Sequence, residues 1–315
     1  MRILHEFKYQ RPPNLAAALT LMAQYGDRAR PIAGGTDLVI GLKYRSMLQL
    51  ADPAVFPAAS RAPKIVRPDV IVSLADLSGL KGITRRVGAV RVGARTTMTQ
   101  IANGYDLPPA LGAVRDAAGA MGSPLIRNQA TIGGNLVHGR PAADTAIATL
   151  AVGARYELAS FDERRWVNAD DFFVGPGETV KRPEELLISV ELTHSPDDGS
   201  AYLRQGTRRQ LEIALASAAA WVRLGPGSGA ITAARIALGA VGPTPLLANE
   251  AARYLVGKQP EPEVIAVAAT TARTEATPID DYRGSAAYRV ELIEVLVRRA
   301  LTIAVARAGG EVVRS

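Results

Sequence analysis

Two double-glycine bends, far apart in the chain, carry its strongest chemical signal. One is Ala33-Gly34-Gly35-Thr36-Asp37-Leu38. The other runs Ala130-Thr131-Ile132-Gly133-Gly134-Asn135-Leu136. Glycine leaves backbone N–H groups uncovered and tolerates positive φ, so an anion can sit on the main chain itself. Two such bends could grip the two phosphates of a dinucleotide from both sides. Thr36 adds a hydroxyl aimed at the same oxygens. Asp37 beside it suits a sugar hydroxyl or free backbone donors rather than a phosphate. The single-loop nucleotide signatures, G-x-G-x-x-G and G-x-x-x-x-G-K-[ST], are both absent. A plain tight turn is the competing reading of Gly34-Gly35.

The remaining polar candidates are few. Asp144, after Pro141-Ala142-Ala143, opens a helix and reads either as a cap or as a ligand to a bound group. His138 reads as a satisfied loop residue and Arg204 as a solvated charge at a strand end. Gly225-Pro226-Gly227-Ser228-Gly229 reads as a hairpin turn rather than a phosphate loop. There is no cysteine and there are three histidines. Thiolate catalysis, disulfides and cysteine-held clusters are therefore excluded, and a His-rich metal site is not expected. Redox chemistry would have to come from a bound organic cofactor. No Ser-His-Asp set or pair of carboxylates at useful spacing emerges, so no side chain is assigned a catalytic role.

Bulk composition agrees with a folded, two-domain protein. Of 315 residues, 48% are hydrophobic, 21% charged and 5% aromatic. Apolar stretches such as Ala214–Val222 are too short to span a bilayer. The Met1–Phe7 start carries charge early and has no apolar h-region, which gives a cytoplasmic expectation. A net charge of +7 and a pI near 9.8 fit an arginine-rich surface, an anionic cofactor or an acidic partner. The basic residues are scattered and not interleaved with aromatics, so nucleic acid is not expected.

The elements that must position the two bends can be read in order. Leu15–Gln24 is an amphipathic helix capped by Asn14, and Arg30–Ala33 is a short strand feeding the first bend. Asp37–Tyr44 starts a further element. Met47–Pro68 holds four of the twenty prolines without a clear period and reads as a surface loop or insertion. Strands are expected at Val70–Ser73 and Val87–Val92, and helices at Thr97–Asn103 and Pro108–Met121. After the second bend come a helix at Asp144–Leu150 and strands at Arg155–Leu158, Trp166–Asn168 and Leu186–Leu192. The polar stretch His194–Ser200 marks a boundary, dividing the chain into 1–197 and 198–315. The second part reads as a strand at Ser200–Gln205, a long hairpin over Ile213–Leu224 and Ile231–Val241, and helices at Asn249–Leu255, Glu261–Thr274 and Ser285–Ala306. An antiparallel sheet covered by helices follows.

Taken in order, Ala33–Leu38, Ile126–Asn128 with Thr131–Asn135, Pro141–Asp144, Phe172–Gly177 and Pro183–Leu187 resemble the FAD-binding medium subunit of molybdenum hydroxylases, the xanthine dehydrogenase and carbon monoxide dehydrogenase relatives. The resemblance covers essentially the whole chain. It implies an α+β fold: a two-lobed FAD-binding domain of the vanillyl-alcohol-oxidase-like (PCMH) type, then a smaller C-terminal domain of antiparallel sheet plus helices. It implies that Ala33–Asp37 and Thr131–Asn135 hold the FAD pyrophosphate, that Asp144 hydrogen-bonds FAD and that Leu187 lies against the isoalloxazine ring. Ile32, Ala130, Val137, Leu186 and Arg204 complete the implied cofactor-binding set. Family members often carry lysine where Arg204 stands; a cation there favours an anionic reduced flavin, and arginine keeps the charge but not the geometry. Ala130 stands where relatives often have glycine, and Met47–Pro68 is longer than the usual link.

The same resemblance implies the partners: a large molybdopterin-binding subunit that oxidises substrate, and a small subunit whose two 2Fe–2S clusters pass electrons to FAD and on to an external acceptor. Neither substrate nor acceptor is encoded in this chain. Two rivals stand beside this reading. One is a self-sufficient FAD-dependent oxidase or reductase with its own substrate site, which should show acid–base residues near the ring. The other is an assembly module that has lost FAD, which the retained glycines argue against.

Overall fold

The computed structural model describes residues 6–48, 67–104, 107–208 and 210–309. Most of the Met47–Pro68 insertion lies outside these residues; Met47 and Leu48 end a helix.

The first lobe is a three-stranded parallel sheet in the order β1-β3-β2, where β1 is Lys8–Gln10, β2 Ala29–Ile32 and β3 Val70–Ser73. Helix α1 (Leu15–Tyr25) starts where expected. The Asn14 side chain accepts from the Ala17 N–H at 2.9 Å, satisfying one of the donors that a helix start leaves free. Its buried face, Ala18, Leu19 and Met22, joins Val70 and Val72 in a small core. Strand β2 stops at Ile32, whose carbonyl accepts from Leu74 N, and the chain turns through the first bend into α2 (Leu38–Leu48).

The second lobe is built on a five-stranded antiparallel sheet in the order β4-β5-β10-β6-β7. Its strands are β4 (Ile83–Arg86), β5 (Ala89–Gly93), β6 (Arg155–Ala159), β7 (Arg164–Asn168) and β10 (Leu186–Thr193), with β8 (Phe173–Gly175) and β9 (Glu178–Thr179) forming a separate small ribbon. Alternation puts Val90, Val92, Tyr156, Leu158, Val190 and Leu192 on one face. That face packs on short helices: α3 (Met98–Ala102), α4 (Gly112–Ala120), α5 (Pro124–Gln129), α6 (Ile132–Val137) and α7 (Asp144–Ala151). The helix expected over Pro108–Met121 begins instead as a 3-10 turn, Pro109–Leu111. The reason is tertiary: the Ala113 N–H is taken by Ser200 Oγ at 3.0 Å, and Gly112 lies so close to the Ser200 carbonyl that a Cβ would come within 2.8 Å of it.

The third layer is the antiparallel sheet β11-β12-β13-β14, with β11 Asp198–Gln205, β12 Ala216–Leu224, β13 Ile231–Gly239 and β14 Leu246–Leu247. The expected hairpin is β12 and β13. Strand β12 is alanine-rich because it is covered on both faces: Ala216, Ala218 and Ala220 point to one core, Ala219 to the other. Small side chains let the helices α8 (Asn249–Leu255), α9 (Pro262–Glu275) and α10 (Ala286–Arg307) pack close on one side. On the other side lies α7, which is buried along its whole length.

An ion pair fastens these layers. Arg307, the last residue of α10, donates to both oxygens of Asp116 on α4, at 2.6 and 3.1 Å, and to the Ser200 carbonyl. Asp116 also accepts from the Tyr202 N–H at 3.3 Å. Removing one partner of a shielded pair leaves the other uncompensated. Asp116→Ala is therefore expected to lower stability by about 2 kcal/mol, measured by urea unfolding; a change under about 0.5 kcal/mol, the size of ordinary surface substitutions, would show the clamp to be dispensable.

Candidate functional site

The two bends meet. An ideal Cβ built on Gly34 would lie 1.9 Å from the Gln129 carbonyl oxygen and 3.1 Å from the Ala130 Cα. Only glycine permits that approach, so the first bend sits directly on the chain entering the second. Gly133 is tight for a similar reason, its Cβ position being 2.7 Å from the Ala94 Cβ. Gly35 alone of the four has a positive φ, +69°. Close contact thus requires glycine at Gly34 and Gly133, positive φ favours it at Gly35, and neither applies at Gly134.

One correction concerns the second bend. It is the start of helix α6, with Thr131 as its N-cap. The amides expected to be bare are in use: Ile132 N–H donates to Thr96, Gly133 N–H to Ala94 and Asn135 N–H to Thr131 carbonyls, and Gly134 N–H to Thr131 Oγ1 at 3.2 Å. These bonds stitch the bend rigidly to residues 94–98. What it presents is the exposed, side-chain-free surface of Gly134 and the hydroxyl hydrogen of Thr131, still available as a donor. The Asn135 amide oxygen accepts from Thr145 Oγ1 at 2.6 Å and from Thr145 N–H, fixing the start of α7. At the first bend the expectation of bare amides holds: among the described residues the N–H groups of Gly34, Gly35 and Thr36 donate to no protein acceptor. They precede α2, so its positive end adds to their field.

A cavity of about 1230 Å³ opens between the bends, and every sequence-predicted residue borders it: Ile32, Ala33, Gly34, Gly35, Thr36, Asp37, Ala130, Thr131, Gly133, Gly134, Asn135, Val137, Asp144, Leu186, Leu187 and Arg204. Asp37 reaches across to His138, Oδ1 to Nδ1 at 3.4 Å, and Arg140 Nε donates to His138 Nε2 at 3.3 Å. The loop histidine thus ties the two bends together. Leu186 and Leu187 open β10 and are buried, giving the cavity an apolar wall.

Asp144 is not a surface cap. It is 5% exposed, and its Oδ1 accepts from Tyr202 Oη at 2.6 Å and Arg204 Nη1 at 3.0 Å. Arg204 also donates to the Glu212 carbonyl, so it is no solvated strand end. Burial pushes the Asp144 carboxyl up from its ordinary range, against the pull of Arg204 and Tyr202. Burial likewise raises Tyr202, with Asp144 adding to the effect. Tyr202 was missed by sequence reasoning. Its signal was present: on a strand over Ser200–Gln205, residues 202 and 204 share a face.

Lys181 and Arg95 are further cationic groups of the cavity that the sequence did not single out. Lys181 Nζ donates to the carbonyls of Arg182 and Glu185, and burial pushes its ammonium down to about 8. Burial also lowers the Arg95 guanidinium. Among the described residues no cluster of three or more His, Asp or Glu could hold a metal, and no helix is long and apolar enough to cross a membrane.

The carbon monoxide dehydrogenase medium chain of Afipia carboxidovorans is 33% identical over 302 residues, covering 96% of this chain and 98% of its own. The chain belongs to the FAD-binding medium subunits of the molybdenum hydroxylases. Two family models describe its halves: residues 59–194 match "FAD binding domain in molybdopterin dehydrogenase" and residues 201–304 match "CO dehydrogenase flavoprotein C-terminal domain". The xanthine dehydrogenase FAD-binding subunit of Escherichia coli is 29% identical over 96% of this chain and 97% of its own. Among solved structures, reconstituted CO dehydrogenase from Oligotropha carboxidovorans superimposes with a TM-score of 0.85 at 31% identity, over 96% of this chain and 99% of that one. Quinoline 2-oxidoreductase from Pseudomonas putida 86 gives 0.83 at 28% identity, over 96% and 98%. This medium subunit therefore has the family's α+β architecture and an FAD-binding domain.

The two glycine roles separate experimentally. Gly34→Ala must push the bends apart and should cost about 2–3 kcal/mol of stability. Gly134→Ala meets only Thr131 Oγ1, at 3.2 Å. It should leave stability within about 0.5 kcal/mol while narrowing the cavity and weakening FAD. Thermal unfolding with FAD titration checks both; equal stability losses would contradict the assignment.

Proposed function

We propose that this chain carries FAD as the electron-transfer subunit of a cytoplasmic molybdenum hydroxylase. Electrons would arrive from the 2Fe–2S clusters of a small partner subunit and leave to an external acceptor, with substrate oxidised on a large molybdopterin-binding subunit. The relatives' names support this: they are medium chains and FAD-binding subunits of dehydrogenases. The observation that carries it is the meeting of two bends around one cavity, with unpaired amides on one side and an uncovered glycine surface on the other.

FAD fits these residues by their chemistry. Gly34, Gly35 and Thr36 N–H groups, with the Thr131 hydroxyl, would hold the pyrophosphate. Asp144 would accept from a cofactor N–H or O–H, and Leu186 and Leu187 would seat the apolar ring. The cavity exceeds the roughly 300–1,000 Å³ typical of sites for a single small ligand, as a dinucleotide requires. Bound there, FAD supplies the electron exchange that no side chain of this chain offers. The protein's part is to hold, orient and electrostatically tune it. The division at 197 and 198 is kept as a proposal: the FAD region before it, the β11–β14 sheet and its helices after it.

The purified chain should release about one FAD per polypeptide on denaturation, as one cavity implies. Gly134→Asp should abolish binding, because a carboxylate would stand where the pyrophosphate lies. Co-purification with the molybdopterin and iron–sulfur subunits, followed by anaerobic bleaching of the flavin with the complex's substrate, tests the electron route. A flavin that stays oxidised while the clusters are reduced would refute it.

A further inference from the structure

Strand β11 reaches from the C-terminal layer to the first residue of α7. The contact is one-sided: Tyr202 Oη and Arg204 Nη1 both donate to the same oxygen, Oδ1 of Asp144. Among the described residues the other oxygen, Oδ2, receives no hydrogen bond from another residue, and Asp144 borders the cavity. Tyr202 is itself held fast, being 3% exposed, with its N–H on Asp116 and Asp116 on Arg307. Tyr202 is thus anchored at both ends, its backbone N–H to Asp116 and its hydroxyl to the Asp144 carboxylate.

We propose that Tyr202 is a positioning residue for the cofactor: by holding Asp144 Oδ1 on the protein side, jointly with Arg204, it turns Oδ2 into the cavity as the acceptor for an N–H or O–H of FAD. The inference rests on the FAD reading above and goes beyond it by assigning a residue that does not face the cavity. The charged and titratable groups facing Asp144 are Arg204 and Tyr202, both on β11; α7 contributes the Asp144 backbone N–H. Burial drives the carboxyl toward protonation and these donors oppose it. Without the Tyr202 hydroxyl the balance shifts, and the carboxyl takes up its proton at a higher pH. A protonated Asp144 is a poorer acceptor, so FAD affinity should fall on acidification, and should fall earlier in Tyr202→Phe.

The test is the FAD dissociation constant of the full chain, from flavin fluorescence across pH 4–8, for the parent, Tyr202→Phe and Asp144→Asn. The ring is retained in Tyr202→Phe, so packing is spared. It should bind FAD about 3–10-fold more weakly near neutrality, with its acid limb displaced to higher pH. Asp144→Asn should lack that limb. Profiles of parent and Tyr202→Phe that superimpose overturn the proposal. Should Tyr202→Phe fail to fold, a crystal structure of the FAD-bound parent decides: Asp144 Oδ2 on a cofactor N–H or O–H with Tyr202 Oη still on Oδ1 supports the role, and FAD on Oδ1 or away from Asp144 overturns it. A parent that binds no FAD at any pH is a distinguishable result, overturning the cofactor reading and this inference with it.

Discussion

The backbone at Gly34 lies against the Gln129 carbonyl, and the cavity depends on that contact. It joins two lobes whose sequences are nearly a hundred residues apart. It also fixes where the unpaired amides of Gly34, Gly35 and Thr36 stand relative to Gly134 and Thr131. A side chain at Gly34 would hold the lobes apart and widen the gap between the bends. The bends differ in kind. The second is locked to residues 94–98 by its own amides before any ligand arrives, while the first leaves its donors open. One wall is thus preformed, and the other keeps its hydrogen-bond donors open.

The third layer does more than cover the first two. Alanines on β12 let it approach α7 closely, and β11 places Tyr202 and Arg204 on the buried Asp144. A carboxylate so deep in the protein would be costly without those donors. Arg204 adds a second tie, to the Glu212 carbonyl, so the residues after β11 are linked to the cavity wall through one guanidinium. The arginine does this with its planar fork, Nη1 on the carboxylate and Nη2 on the carbonyl.

Much of this was legible in the sequence, because local signals and tertiary structure agree. Asn14 capped its helix, the Gly225–Gly229 turn closed its hairpin, and all the residues singled out around the two glycine pairs border one cavity. What was not legible required knowing what lies across a contact. Nothing local says that Gly34 faces Gln129, or that Ser200 takes the Ala113 amide and delays α4. The sequence does not show that amides of the second bend are taken, because their acceptors, Ala94 and Thr96, are distant in sequence. Asp144 at a helix start suggested a cap; its true partners come from a strand nearly sixty residues away.

The most direct measurement is a crystal structure of the chain, alone or within its complex, with FAD bound. The account predicts the pyrophosphate between the two bends, its oxygens within hydrogen-bond distance of Gly34, Gly35 or Thr36 N–H and lying over Gly134. A diphosphate bound elsewhere, or in contact with neither bend, would contradict it.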